Sequence, residues 1–123
     1  MAFMTDRKRV TGLGASHTGT GAFWTMTVTS VALLILTPLF VFIFGPLLGE
    51  PHAEVIATLS RPFPAIVTGL MIVVGLYHFR LGVRVMIEDY AHGFAREAWI
   101  IVMTIASYAL MAAGLFAVAK IAL

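Results

Sequence analysis

The sequence predicts an all-α membrane protein with three spanning helices. Of its 123 residues 60% are hydrophobic and only 11% charged, and the mean hydropathy of +0.98 lies far above that of a soluble domain of this size. No Asp, Glu, Lys or Arg occurs between Val10 and Gly49, from Pro62 to Phe79, or from Ala98 to Ala119. A span needs about 20 apolar residues, so each stretch can cross a bilayer once.

Composition also excludes several functions. The formal net charge of +2 is set by eight basic residues spread along the chain, which makes no nucleic-acid footprint. Cysteine is absent, so disulfides, thiolate catalysis and thiolate-held clusters are excluded for this chain, and any redox centre uses other ligands or sits in a partner.

The lead-in, residues 1–21, carries Arg7, Lys8 and Arg9. They resemble the basic start of a signal peptide, but the apolar run after them is too long for one and no small-residue cleavage site interrupts it, so a retained first helix is expected. Gly12-Leu13-Gly14 begins like a dinucleotide-binding GxGxxG, yet position 17 is histidine and no strand precedes it. A loop lying on partner subunits is the expectation there.

The first span is expected over about 22–45, with Pro38 kinking it and the turn-rich GPLLGEPH ending it. Phe40, Phe42 and Phe44 read as packing or lipid-facing residues. The second is expected over about 64–90, opened by the prolines at 62 and 64 and stopped by Ala91-His92-Gly93. From residue 65 to 90 such a helix is about 39 Å long and outruns the ~30 Å hydrocarbon core at its charged C-terminal end. The third covers about 97–121. No internal repeat is evident, and the whole chain, 1–123, reads as one membrane domain. Arg7, Lys8, Arg9, Arg84 and Arg96 fall on the side shared by the N-terminus and the second loop, against Arg61 and Lys120 opposite. That asymmetry predicts a cytoplasmic N-terminus.

The chemistry concentrates in GLYHFRLGVRVMIEDY, residues 75–90. Polar groups in hydrocarbon are expensive and call for a function. His78 is the one histidine inside a span, with His17, His52 and His92 all outside. At 100° per residue, Gly75, Gly82 and Asp89 lie within about 60° of it on the same helix face. Two glycines flanking a histidine leave room for a flat macrocycle, and imidazole is a common axial ligand of heme iron. The alternative is a neutral histidine hydrogen-bonded to a neighbouring helix, with the glycines marking close packing. A second axial histidine would have to come from a partner.

Tyr90 can donate a hydrogen bond to a carbonyl oxygen, and Asp89 beside it can pass protons from water. Together they suit a quinone, although tyrosine and acidic residues also populate helix ends at membrane interfaces. Arg80 and Arg84 point about 200° and 240° away from His78, which favours headgroup or subunit docking, and Arg84 and Glu88 are spaced for an i,i+4 pair.

The run RPFPAIVTGLMIVVGLYHFRLGVRVMIEDYAHG, with His78, Gly82 and the Asp89-Tyr90 pair, resembles the second helix of the smaller membrane anchor of succinate dehydrogenase, the D-type subunit of respiratory complex II in its alphaproteobacterial and mitochondrial form. The lead-in TGLGASHTGTGAFW and the three-helix plan resemble that family as well. The resemblance implies that His78 is an axial ligand of heme b and holds its iron, that Gly82 packs on the heme, that Tyr90 hydrogen-bonds ubiquinone and that Asp89 shapes that site and supplies protons. It further implies a location in the bacterial inner membrane and three partners: a larger anchor subunit donating the other histidine, an iron–sulfur subunit and a flavoprotein. Thr27 departs from the pattern, standing where the family often has an arginine that neutralises a heme propionate. Either the larger anchor supplies that cation, or heme affinity and orientation differ here.

Two rival expectations remain. A non-redox structural or assembly protein would use the polar end of the second helix for docking. A homo-oligomeric transporter would need Arg80, Arg84 and Asp89 along one pathway, and the three do not share a face.

Overall fold

The computed structural model describes residues 4–12 and 19–123, all of whose regular elements are helical. A short helix α1 (Asp6–Gly12) opens the chain. Thr5 Oγ1 caps it by accepting the Lys8 backbone N–H at 3.2 Å, and Asp6 sits favourably in the first turn. Leu13, Gly14 and His17 of the glycine-rich lead-in lie outside the described residues.

The first span, α2 (Gly19–Phe44), runs through Pro38 to a single 3-10 turn at Gly45–Leu47. Hydroxyls cluster in its first half, and Thr25, Thr27, Thr29 and Ser30 each return a hydrogen bond to their own helix. Thr25 donates to the Gly21 carbonyl at 2.8 Å, Thr27 to that of Phe23 at 3.0 Å, Ser30 to that of Met26 at 2.9 Å, and Thr29 reaches the carbonyls of both Thr25 and Met26 at 2.9 Å. Self-bonding of this kind lets hydroxyls reside in hydrocarbon. Phe40 and Phe44 stack on each other at 4.2 Å, as packing residues.

The connection to the second span is more ordered than the sequence suggests. Gly49 turns the chain at φ +91°, a conformation that favours glycine. His52 then opens a helix, α3 (His52–Leu59), instead of lying in a loop. Pro51 occupies its N-cap, the Glu54 and Val55 N–H groups bond to the Pro51 carbonyl, and Glu54 complements the helix dipole. Leu59 closes this helix against Ala65, Thr68, Val118 and Ile121.

The second span, α4 (Pro62–Tyr90), begins two residues before the expected start, because both prolines fit in a first turn whose N–H groups have no helical partners anyway. Its 29 residues extend about 43 Å. Ala91 and His92 are extended, Gly93 adopts φ +60°, and α5 (Gly93–Ala122) begins at once. That start is four residues earlier than expected, since Gly93, Phe94, Ala95 and Arg96 continue the helix below the apolar stretch. Lys120 in its last turn faces the negative end of the dipole.

The central helix is α4, with α2 and α5 packed on either side of it. Against α5 the contact is made by small residues: Gly69 meets Leu115, Gly114 meets Ile72, and Ser107, 2% exposed, donates to the Met103 carbonyl at 2.7 Å. The core is thin, comprising Leu36, Ala65, Val67, Ile87 and Met111. Three helices, α2 with its 3-10 extension, α4 and α5, are long and apolar enough to cross a membrane, and their outward faces are almost wholly apolar. The expectation of three spans is met, and the chain is a multi-pass membrane protein.

Candidate functional site

His78 lies midway along α4 on the flank that meets α2. Its Nδ1 is 2.9 Å from Thr29 Oγ1, a polar contact that joins the two helices. The geometry is compatible with either direction for this hydrogen bond, and counting protons favours one of them. Thr29 has one hydroxyl hydrogen, and the Thr25 and Met26 carbonyls compete for it at 2.9 Å. If Nδ1–H donates to Oγ1, the hydroxyl remains free to donate to its helix and both side chains are satisfied there. If Thr29 instead donated to Nδ1, the helix bond would be given up and an Nε2–H would stand in an apolar span with no partner among the described residues, at a cost of about 1–3 kcal/mol. On that count Nδ1 is the nitrogen that donates to Thr29, and Nε2 is left as the accepting nitrogen.

On the same face of α4 the backbone is bare at two glycines. A Cβ built on Gly75 or on Gly82 would meet nothing within 4 Å. Together with the exposed Asp89 they form a strip between the flank packed on α2 and the flank packed on α5. An imidazole engaged through Nδ1 on a helix face that two glycines leave open fits an axial ligand to a planar iron macrocycle. Among the described residues no three His, Cys, Asp or Glu side chains come together as a metal set.

Thr27 spends its hydroxyl on the Phe23 carbonyl and lies about 200° around α2 from Thr29. The departure at position 27 thus leaves the Thr29–His78 contact untouched.

Two cavities flank the C-terminal half of α4. Between α2 and α4, a groove of about 530 Å³ is bounded by residues that include Met26, Leu81, Arg84 and Glu88. Arg84 Nε bonds Glu88 Oε1 at 2.9 Å, the expected i,i+4 pair, and Arg96 reaches the same oxygen at 3.9 Å from α5. Arg84 therefore lies on the α2 flank, where its angle, about 120° from His78 by the shorter way round, places it. Arg80 does turn away. Its guanidinium lies 4.8 Å from the Tyr77 ring centroid and 5.3 Å from that of Tyr108 on α5, and its Nε is buried with no hydrogen bond.

Between α4 and α5 lies an open cavity of about 550 Å³, lined by Val83, Met86, Ile87, Tyr90, Ala91, Trp99 and Met103. Its wall is almost wholly apolar, and two of its residues, Tyr90 and Trp99, carry a side-chain hydrogen-bond donor. Tyr90 is 83% exposed, so the hydroxyl is available to a ligand. Asp89 is not part of this wall and points from the neighbouring strip. The sequence-predicted residues accordingly divide: His78, Gly82 and Asp89 belong to one side of α4, and Tyr90 to the other. Trp99 escaped the sequence reasoning because an aromatic residue near a helix start is ordinary at an interface. Only the turn at Gly93 brings it to the same cavity as Tyr90.

The chain matches, over residues 1–119, the family model described as the succinate dehydrogenase/fumarate reductase transmembrane subunit. The succinate dehydrogenase hydrophobic membrane anchor subunit of Paracoccus denitrificans is 43% identical over 123 residues, which cover 100% of this chain and 95% of that protein. No solved structure matches it.

Proposed function

Because the chain belongs to the succinate dehydrogenase/fumarate reductase transmembrane subunit family, as a membrane anchor of the succinate dehydrogenase complex, we propose that it binds heme b through His78 and helps form the ubiquinone-reduction site at the α4–α5 end. The observation that carries the heme assignment is the Thr29–His78 contact, which engages Nδ1 and leaves Nε2 for a ligand, on the helix face that Gly75 and Gly82 leave open. Gly82, with no side chain and open space beside it, would leave the backbone accessible to the macrocycle. A second histidine would be supplied by a larger anchor subunit. Bound there, heme b supplies a one-electron store within the membrane.

Reduction of a quinone to a quinol takes two electrons and two protons. The electrons arrive from a flavoprotein through an iron–sulfur subunit docked on the surface where α4 ends. The apolar wall of Val83, Met86, Ile87 and Met103 accepts a lipophilic ring and excludes water. The Tyr90 hydroxyl donates a hydrogen bond to one quinone carbonyl, an interaction that strengthens as negative charge develops on the oxygen. Exposed Asp89, one residue away, relays protons from the aqueous side. The charge asymmetry supports this end lying, with the N-terminus, on the cytoplasmic face of the bacterial inner membrane.

The test is to purify the complex through a C-terminal tag on this chain, identify stoichiometric partners by mass spectrometry and record its reduced-minus-oxidised spectrum. A flavoprotein, an iron–sulfur protein, a second anchor and a b-type spectrum lost on His78→Ala are expected. Recovery of the chain without those subunits, or a b-type spectrum unchanged in His78→Ala, would reject the proposal.

A further inference from the structure

We propose that Thr29 is the positioning residue for the axial ligand: its hydroxyl fixes the ring rotation and basicity of His78 from the neighbouring helix. The inference rests on His78 being a heme ligand and goes beyond it, since it concerns the group that holds the ligand. Oγ1 lies 2.9 Å from His78 Nδ1 and 2.9 Å from each of two α2 carbonyls, those of Thr25 and Met26. With its hydrogen shared between those carbonyls, the hydroxyl cannot rotate freely, so its accepting lone pair has a fixed direction. The imidazole plane is thereby set by α2, while α4 merely carries the side chain. A hydrogen bond donated from the non-ligating nitrogen raises the electron density at the ligating one. A neutral hydroxyl as acceptor does so less than a carboxylate would, leaving the imidazole only mildly enriched.

Electron donation from the ligand favours ferric over ferrous iron, so removing the acceptor should raise the heme midpoint potential. The experiment compares wild type, Thr29→Val and Thr29→Ser in the whole purified complex. It reads heme content per flavin, midpoint potential by spectroelectrochemical titration, and the low-spin ferric signal by electron paramagnetic resonance. Thr29→Val keeps the shape of the side chain and removes the acceptor. It is expected to raise the potential, shift the ferric signal as the ring plane relaxes, and weaken heme retention roughly tenfold or more, the usual consequence of losing such a partner. Thr29→Ser should return all three to wild-type values, which a purely steric role for the threonine methyl would not do.

Where Thr29→Val does not assemble, Thr29→Ala provides the same comparison against Thr29→Ser. Wild-type potential, signal and heme content in the variant lacking the hydroxyl overturn the inference while His78 stands as ligand. Absence of heme from the wild-type complex, or its full retention in His78→Ala, removes the ligand assignment itself and this inference with it.

Discussion

Tyr90, the last residue of α4, and Trp99, in the second turn of α5, line one cavity, and each carries a side-chain hydrogen-bond donor. Between them the chain makes its reversal at Ala91, His92 and Gly93. Tyr90→Phe keeps the ring and removes the hydroxyl. A lost hydrogen bond of about 1 kcal/mol, larger as charge builds on the carbonyl, predicts a roughly tenfold fall in succinate:ubiquinone kcat/KM. Assay of purified complex, normalised to flavin, checks it, and full activity in Tyr90→Phe would exclude the hydroxyl from the reaction.

Trp99→Phe preserves most of the cavity wall but not the indole N–H. If Trp99 chiefly shapes the pocket, KM for a short-chain quinone should rise a few-fold with kcat nearly unchanged. An equal drop in kcat would instead place the indole on the reacting carbonyl.

Gly114 leaves no room for a branched side chain, because a Cβ there would stand 2.9 Å from Ile72 Cγ2. Gly114→Val should therefore destabilise the α4–α5 pair by about 1–3 kcal/mol, the usual cost of overpacking. Thermal unfolding of the detergent-extracted complex measures it. Adding Ile72→Ala opens space opposite and should recover part of the loss, the sign of direct coupling.

Glu88 takes Arg84 at 2.9 Å and Arg96 at 3.9 Å, but its side chain is 31% exposed and that of Arg84 59%. Solvent screens such pairs, so Glu88→Gln should cost only about 0.3–1 kcal/mol, and the difference from wild type should shrink as salt is added. A larger, salt-independent loss would mean that a partner subunit buries this cluster in the assembled complex.

The three spans were legible because uncharged runs of sufficient length leave few alternatives. The shared face of His78, Gly82 and Asp89 was legible too, since helical angle derives directly from residue spacing. Thr29 was not: a hydroxyl that bonds its own helix looks the same in sequence as Thr25 or Thr27, and only the register of α2 against α4 singles it out. The short helix at His52 was hidden for another reason. Its eight residues sit among Gly49, Pro51, Ser60 and Pro62, whose turn signals outweigh a single helical repeat, although Pro51 is well suited to precede one. Tyr90 and Asp89, adjacent in sequence, read as one unit, yet neighbours on a helix diverge by 100° and here fall on different sides.

Arg80, held between Tyr77 on its own helix and Tyr108 on the next, bears on how the chain enters the bilayer. A guanidinium near the middle of a lone helix opposes insertion by about 2.5–3.5 kcal/mol, and Tyr77 alone shields one side of it. The second ring comes with α5, so α4 and α5 are best inserted together as a hairpin. With its hydroxyls already bonded to carbonyls of its own helix, α2 has no such dependence on a neighbour.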